Sequence, residues 1–182
     1  MSLQVWLPLI KNSINQGLSD LQFSHPTKYR YIRFVIDGIR DSSREFYTQL
    51  SMLQFLDANN NVYGYPAGTT VTTSMNGYPS NEAPGNIIIF DIGNKFCSPW
   101  SPGAYLQINI GGSEGIDINK YSRFRYYTAN DGDWRDPTSF KVLFSVDGTN
   151  FIEGVTVTNA SITTARKALA YVGNCFSDGK IG

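Results

Sequence analysis

Residues 29–36 read YRYIRFVI. Ile32, Phe34 and Ile36 share one parity, and Tyr31, Arg33 and Val35 share the other. Successive side chains of an extended strand point to opposite faces, so this alternation predicts a half-buried strand of an antiparallel sheet. The same period recurs outward from it. In 104–110, AYLQINI, Leu106, Ile108 and Ile110 oppose Tyr105, Gln107 and Asn109. In 139–146, SFKVLFSV, Phe140, Val142, Phe144 and Val146 form one face. Residues 48–56, TQLSMLQFL, change phase: Leu50 and Met52 share one parity, Leu53 and Phe55 the other. A β-bulge near Met52 reconciles them. Residues 86–90, NIIIF, are continuously apolar and predict a segment buried on both sides.

Turn signals separate these runs: DANNN before Val62, NGYP at Asn76, GG at Gly111 and DGTN at Asp147. Asp147-Gly148 is a hairpin signal. The connection over 63–85 is long and rich in Gly, Thr, Ser, Asn and Pro, which marks it as functional or mobile. The best helical candidate is short, over 163–170 (TTARKALA). Neither a repeat nor a linker interrupts the pattern. It predicts an all-β, jelly-roll β-sandwich over 28–182. Residues 1–27 form an N-terminal extension with one added strand, LQVWLPL, where Pro8 suits an edge position.

At 182 residues the chain has room for one core. Fifteen basic and fifteen acidic residues cancel, which argues against a nucleic-acid binder, since that needs a basic footprint. The balance also argues against a polybasic membrane-surface protein. No apolar run approaches the roughly 18 residues of a membrane-inserted span. The N-terminus lacks a basic n-region and does not read as a signal peptide. Charged residues at 16% with aromatics at 14% fit an extracellular, cell-surface or virion-type β protein. Cys97 and Cys175 are either a disulfide or two thiols; no Cys-x-x-Cys or Cys/His cluster points to zinc.

Four stretches together, YRYIRFVI, QLSMLQFLD, NEAPGNIIIFDIGNKFC and TANDGDWRDPTSFKVLFSVDGTNF, resemble the galactose-binding-like superfamily. More narrowly they are similar to coagulation-factor type C (discoidin) domains and related carbohydrate-binding modules. The last motif is the most specific: an arginine-bearing loop, an apolar strand, then Ser-x-Asp-Gly and an aromatic. The order departs from many discoidin domains, where the Tyr-x-x-Arg-Phe strand closes the domain; here it comes first, as in a permuted subgroup. Relatives often hold a calcium ion with a glutamate and an aspartate whose places here are taken by Met52 and Ile89. Calcium wants six to eight oxygen ligands, so the expectation is no metal, and no cofactor, although Asp91 and Asn94 remain.

The resemblance implies a non-catalytic module that binds carbohydrate, a glycan or polysaccharide, through loops at one end of the sandwich. Residues 128–137, TANDGDWRDP, are the centre of that expectation. The strands on either side, YSRFRYYT and SFKVLFSV, are expected to pair as a hairpin that carries the loop. Arg135 offers five fixed donors, Asp131 and Asp133 accept from sugar hydroxyls, and the Trp134 indole covers the apolar face of a pyranose. The alternative is a braced corner, with Arg135 paired to Asp131 or Asp136 and Pro137 stiffening the exit. Trp100, in CSPWSPG, is either a stacking platform or a core plug. Tyr78 on the long loop is either a ligand contact or a ring packed under its own loop. Catalysis lacks an acid–base–nucleophile set: His25 is the single histidine, and adjacent loop carboxylates usually cap or face solvent. The rival reading is a structural, assembly or host-recognition module of a phage particle or bacterial surface protein, working as a homo-oligomer or in a larger assembly.

Overall fold

The structure is a computed structural model and describes residues 26–177. The expected strand in LQVWLPL, the edge position of Pro8 and His25 lie outside the described residues. Twelve strands follow one another: β1 (Lys28–Tyr29), β2 (Tyr31–Ile39), β3 (Tyr47–Leu50), β4 (Leu53–Leu56), β5 (Thr70–Thr73), β6 (Phe96–Pro99), β7 (Ala104–Asn109), β8 (Ile116–Asp117), β9 (Arg123–Tyr127), β10 (Pro137–Ser145), β11 (Ile152–Val157) and β12 (Leu169–Asn174). All ladders are antiparallel. One sheet runs β11-β10-β2-β7-β5; a second runs β12-β9-β4; β3-β6 and β1-β8 are two-stranded.

The alternation read in β2, β7 and β10 is the alternation of burial, except at Val146, which follows β10 into the turn and is 46% exposed. Ile32, Phe34, Ile36, Leu106, Ile108, Phe140, Val142 and Phe144 are at most 1% exposed, and they meet Phe55, Phe124 and Tyr126 from the second sheet. Phe34 and Phe140 stack at 4.9 Å on adjacent strands of the first sheet, and rings of the second meet them across the gap: Tyr126 lies 5.7 Å from Phe34, and Phe124 stands edge-on to Phe140 at 6.1 Å. Each such ring contributes about 1.5–3 kcal/mol by leaving water, and tilted or edge-on contact adds about 0.5–1.5 kcal/mol per pair. The molecule is therefore an all-β sandwich closed by an aromatic core.

At Ser51–Met52 two residues oppose one. Ser51 N donates to the Tyr127 carbonyl and Tyr127 N donates to the Met52 carbonyl, both at 3.0 Å. This is the arrangement of a β-bulge, and it turns both parities of 50–56 inward: every residue of β4 is buried.

Four expectations are corrected. β9 and β10 do not pair; β9 lies between β4 and β12, and β10 between β2 and β11. Residues 128–136 carry the chain across the sandwich, and the Tyr126 hydroxyl donates to the Pro137 carbonyl to pin the crossing. Alternation alone does not distinguish a hairpin from a crossover, because both strands point their even residues into one core. Residues 86–90 are no buried strand: Pro84–Ile88 is a 3-10 turn, with Ile87 buried but Ile89 and Phe90 46% and 51% exposed. The 63–85 connection contains the edge strand β5, whose TVTT has no apolar alternation to announce it. Residues 163–168 form no helix; they lead in extended and bent form to β12. The Asp147-Gly148 signal does join β10 to β11, with Gly148 at φ 80° and the Tyr31 ring 3.2 Å from where a Cβ would stand.

Candidate functional site

The crossover turns on Gly132, which is left-handed at φ 47° and ψ 64°, followed by one 3-10 turn, Asp133–Arg135. A side chain there would be strained, and the turn needs a glycine. Below it, Gln49 is fully buried and its amide donates to the carbonyls of Asp131 and Gly132, the latter at 2.9 Å. Thr128, also fully buried, donates through its hydroxyl to the Ala165 carbonyl at 2.8 Å.

Ion pairs hold the corner from three sides. Asp136 is 0% exposed; Arg166 grips both its oxygens, and Arg40 adds a contact at 3.5 Å. Burial raises the Asp136 carboxyl above its ordinary value, although Arg166 and Arg40 pull it back down. Asp131 takes two bonds from Lys95 at 2.8 and 2.9 Å. Burial works to raise Asp131, but the Lys95 hydrogen bond and charge outweigh it and its carboxyl sits below the usual range. Lys95 is itself buried and also reaches Glu82 at 3.4 Å.

Arg135 is paired neither with Asp136 nor closely with Asp131, which stands at 3.9 Å. Its partner is Glu45: Nε and Nη2 both donate to Oε2, at 2.8 and 2.6 Å, and the Trp134 indole N–H joins them at 3.1 Å. The bonds from Trp134 and Arg135 hold the Glu45 carboxyl below its ordinary value against the effect of burial. Burial works to lower Arg135, and the Glu45 bond together with the neighbouring charges of Cys97, Glu45 and Asp131 more than reverses it.

The six expected contact residues therefore divide. Asp131, Asp133, Trp134 and Arg135 share one corner. Asp133 is partly buried and its carboxylate makes no hydrogen bond among the described residues, while its backbone carbonyl accepts from Arg40 Nε at 3.0 Å. Trp134 offers no bare face on one side, because the Arg44 guanidinium lies 3.9 Å over its ring. Trp100 is a core plug: it is 8% exposed and its indole N–H donates to the Ile36 carbonyl at 3.0 Å. Tyr78 is 38% exposed and leans over Phe96, its ring 6.1 Å away.

Arg44, Glu45 and Phe46 were not singled out from sequence, although a charged pair followed by two aromatics, REFY, is the available signal. Phe46 is 68% exposed, more than any other large apolar side chain among the described residues. Its carbonyl is fixed by the Trp100 N–H at 2.8 Å. An open cleft of ≈ 450 Å³, lined by Met75, Pro99 and Trp100 among others, begins beside that contact.

Cys97 and Cys175 are buried free thiols, and burial pushes Cys97 up to about 11, so it is no ready nucleophile. Asp91 folds onto its own loop, accepting from Gly93 N and Asn94 Nδ2. Among the described residues no three His, Cys, Asp or Glu side chains are grouped to hold a metal ion, and no helix is long and apolar enough to cross a membrane. In comparisons with family models, curated proteins and solved structures, the chain has no significant match.

Proposed function

We propose that this chain is a non-catalytic carbohydrate-binding module of the galactose-binding-like, discoidin type, with a jelly-roll sandwich. It holds a glycan or polysaccharide at the end formed by residues 41–47 and 128–136. The observation that carries this reading is Phe46, 68% exposed and two residues along the chain from Arg44, whose guanidinium stacks on Trp134. An exposed ring covers the apolar face of a pyranose. Arg44 donates to sugar hydroxyls and Asp133 accepts from them. Glu45, Arg135 and Asp136 hold those groups in place, which lowers the entropy lost on binding. The surface is shallow, so single-site affinity is weak and multivalent display at a cell surface or on a virion supplies avidity.

A glycan array probed with the chain displayed multivalently tests the reading. Binding to a defined sugar class that is lost in Phe46→Ala and kept in Val146→Ser supports it. Val146 follows β10, about 30 Å from the corner by strand rise. Absence of binding across the array by a folded chain rejects it.

A second reading, an assembly or host-recognition module of a phage particle or bacterial surface protein, is favoured by one observation. Ile89 and Phe90 are adjacent, apolar and about half exposed. Sedimentation of wild type and Phe90→Ser decides it: a concentration-dependent oligomer abolished by the substitution supports assembly, and a monomer at all concentrations rejects homo-oligomerisation.

A further inference from the structure

The solvent face of the five-stranded sheet carries a cation set against two aromatic rings. Arg33 lies mid-β2, pointing away from the core that its neighbours Ile32 and Phe34 enter. Its guanidinium is sandwiched: the Phe151 ring centroid lies 3.9 Å away and the Tyr105 ring centroid 4.4 Å away. Nε donates to Gln107 Oε1 at 2.7 Å, straight across the β2–β7 ladder, where Arg33 and Gln107 are register partners. That bond sets the Gln107 amide, whose nitrogen donates to Asn109 Oδ1 at 2.7 Å.

Two rings and one amide thus fix the plane of the guanidinium, and its Nη1 and Nη2 edges have no acceptor among the described residues. The other charged groups on this face are engaged elsewhere. Asp37 pairs with Lys141 at 3.5 Å, and Glu153 accepts from Thr156 at 2.6 Å. Arg40, Arg135 and Arg166 close on carboxylates; Arg125, on the second sheet, makes the same cross-strand Nε bond, to Gln54 at 2.8 Å, but with one ring, Tyr127, 5.5 Å away. A planar fork immobilised on both faces, with its bidentate edge left open, matches an oxyanion with two coplanar or near-coplanar oxygens. Aromatic stacking weakens the hydration of the cation without neutralising it. The amide and hydroxyl row beside it, Gln107, Asn109 and Thr72, suits hydroxyl groups next to that oxyanion.

We propose that Arg33 is the centre of a second binding site, on the sheet face, for an oxyanion borne by a sugar chain: a uronate carboxylate or a sulfate ester. The kind of chain rests on the carbohydrate reading above; the site and the charge requirement do not involve the corner at 128–136.

The test follows the Arg33 Nε–H signal by ¹⁵N NMR, with thermal stability alongside, in wild type, Arg33→Gln and Phe46→Ala. Three probes of equal length are titrated: an oligogalacturonate, a sulfated heparin fragment and a neutral oligoglucan. The expected result is a saturable shift of the Arg33 signal with one or both acidic probes and none with the neutral one. Affinity for the acidic probe falls at least ~10-fold in Arg33→Gln, as loss of a bidentate charged contact requires, and is kept in Phe46→Ala. The acidic probe that acts names the source of the oxyanion. An Arg33 signal unmoved by both acidic probes, or moved equally by the neutral one, overturns the inference. If acidic probes bind but lose affinity only in Phe46→Ala, the sheet-face site is wrong and the carbohydrate reading stands. If acidic probes act at Arg33 and nothing acts at the corner, the corner reading falls alone.

Discussion

Glu45→Gln is the sharpest test of how the corner is held. In the native protein one oxygen, Oε2, accepts from Arg135 Nε and Nη2 and from Trp134 Nε1. The substitution keeps shape and one acceptor but removes the charge. A hydrogen bond to a charged group contributes about 1.5–3 kcal/mol, against about 1 for a neutral one. Side-chain exposures of 31% for Glu45 and 20% for Arg135 admit solvent screening, which pulls the pair toward the lower end. The expected loss is about 1–2 kcal/mol, or about 2–8 °C in Tm for a chain of this length. The pH dependence has a definite sign. The folded Glu45 carboxyl titrates below its ordinary value, so the unfolded chain takes up the proton first. The stabilisation is full above the unfolded pKa of about 4.3 and is lost as pH falls through the folded one. Urea unfolding of wild type, Glu45→Gln, Arg135→Met and the double variant, at pH 7 and again near pH 3, measures both quantities. Single-variant losses that add within about 0.3 kcal/mol at pH 7 refute the brace, because contacting residues in one network do not behave independently. A Glu45→Gln deficit unchanged at pH 3 refutes it as well.

Other outcomes follow from the same packing. Phe140 touches Phe34, Phe124, Tyr126 and Tyr171 at ring-centroid distances of 4.9–6.1 Å; Phe140→Ala is expected to cost about 3–5 kcal/mol in a denaturant titration. A Cβ at Gly154 would meet the Cys175 carbonyl, and the Phe144 ring at 2.5 Å. Calorimetry should find Gly154→Ala destabilised by about 1–3 kcal/mol, with a larger loss for Gly154→Val. Both cysteines are free and buried; intact mass after alkylation in denaturant should show two labels with or without prior reductant. In the folded state at pH 8 Cys97 should label slowly, since burial lifts its thiol to about 11. Rapid labelling of the native chain would contradict its placement.

The elements that could be read from residue order are those where burial and alternation coincide. Ile32, Phe34 and Ile36 could sit only on the inner face of β2, and the phase change at Met52 could be resolved only by an extra residue, which the paired bonds to Tyr127 show. β5 left no trace, because an edge strand of threonines half-facing solvent needs no apolar parity. Residues 86–90 misled in the opposite direction: three isoleucines in a row look buried, but the 3-10 turn ends at Ile88, burying Ile87, leaving Ile88 partly buried against the core and sending Ile89 out to solvent.

The candidate site divides along the same line. That 128–137 is a charged turn was legible, because turn propensity and side-chain chemistry are properties of neighbours in the chain. Its partners were not. Arg135 had three aspartates within four positions and chose Glu45, 90 residues away; Asp136 chose Arg166 and Arg40. Trp100 could be a platform or a plug until the Ile36 carbonyl was found against its indole N–H. Side-chain direction along a strand depends on local backbone geometry and is written in the sequence. Which of fifteen acidic groups meets a given arginine depends on distances through space, and those exist only once the two sheets have closed on their common core.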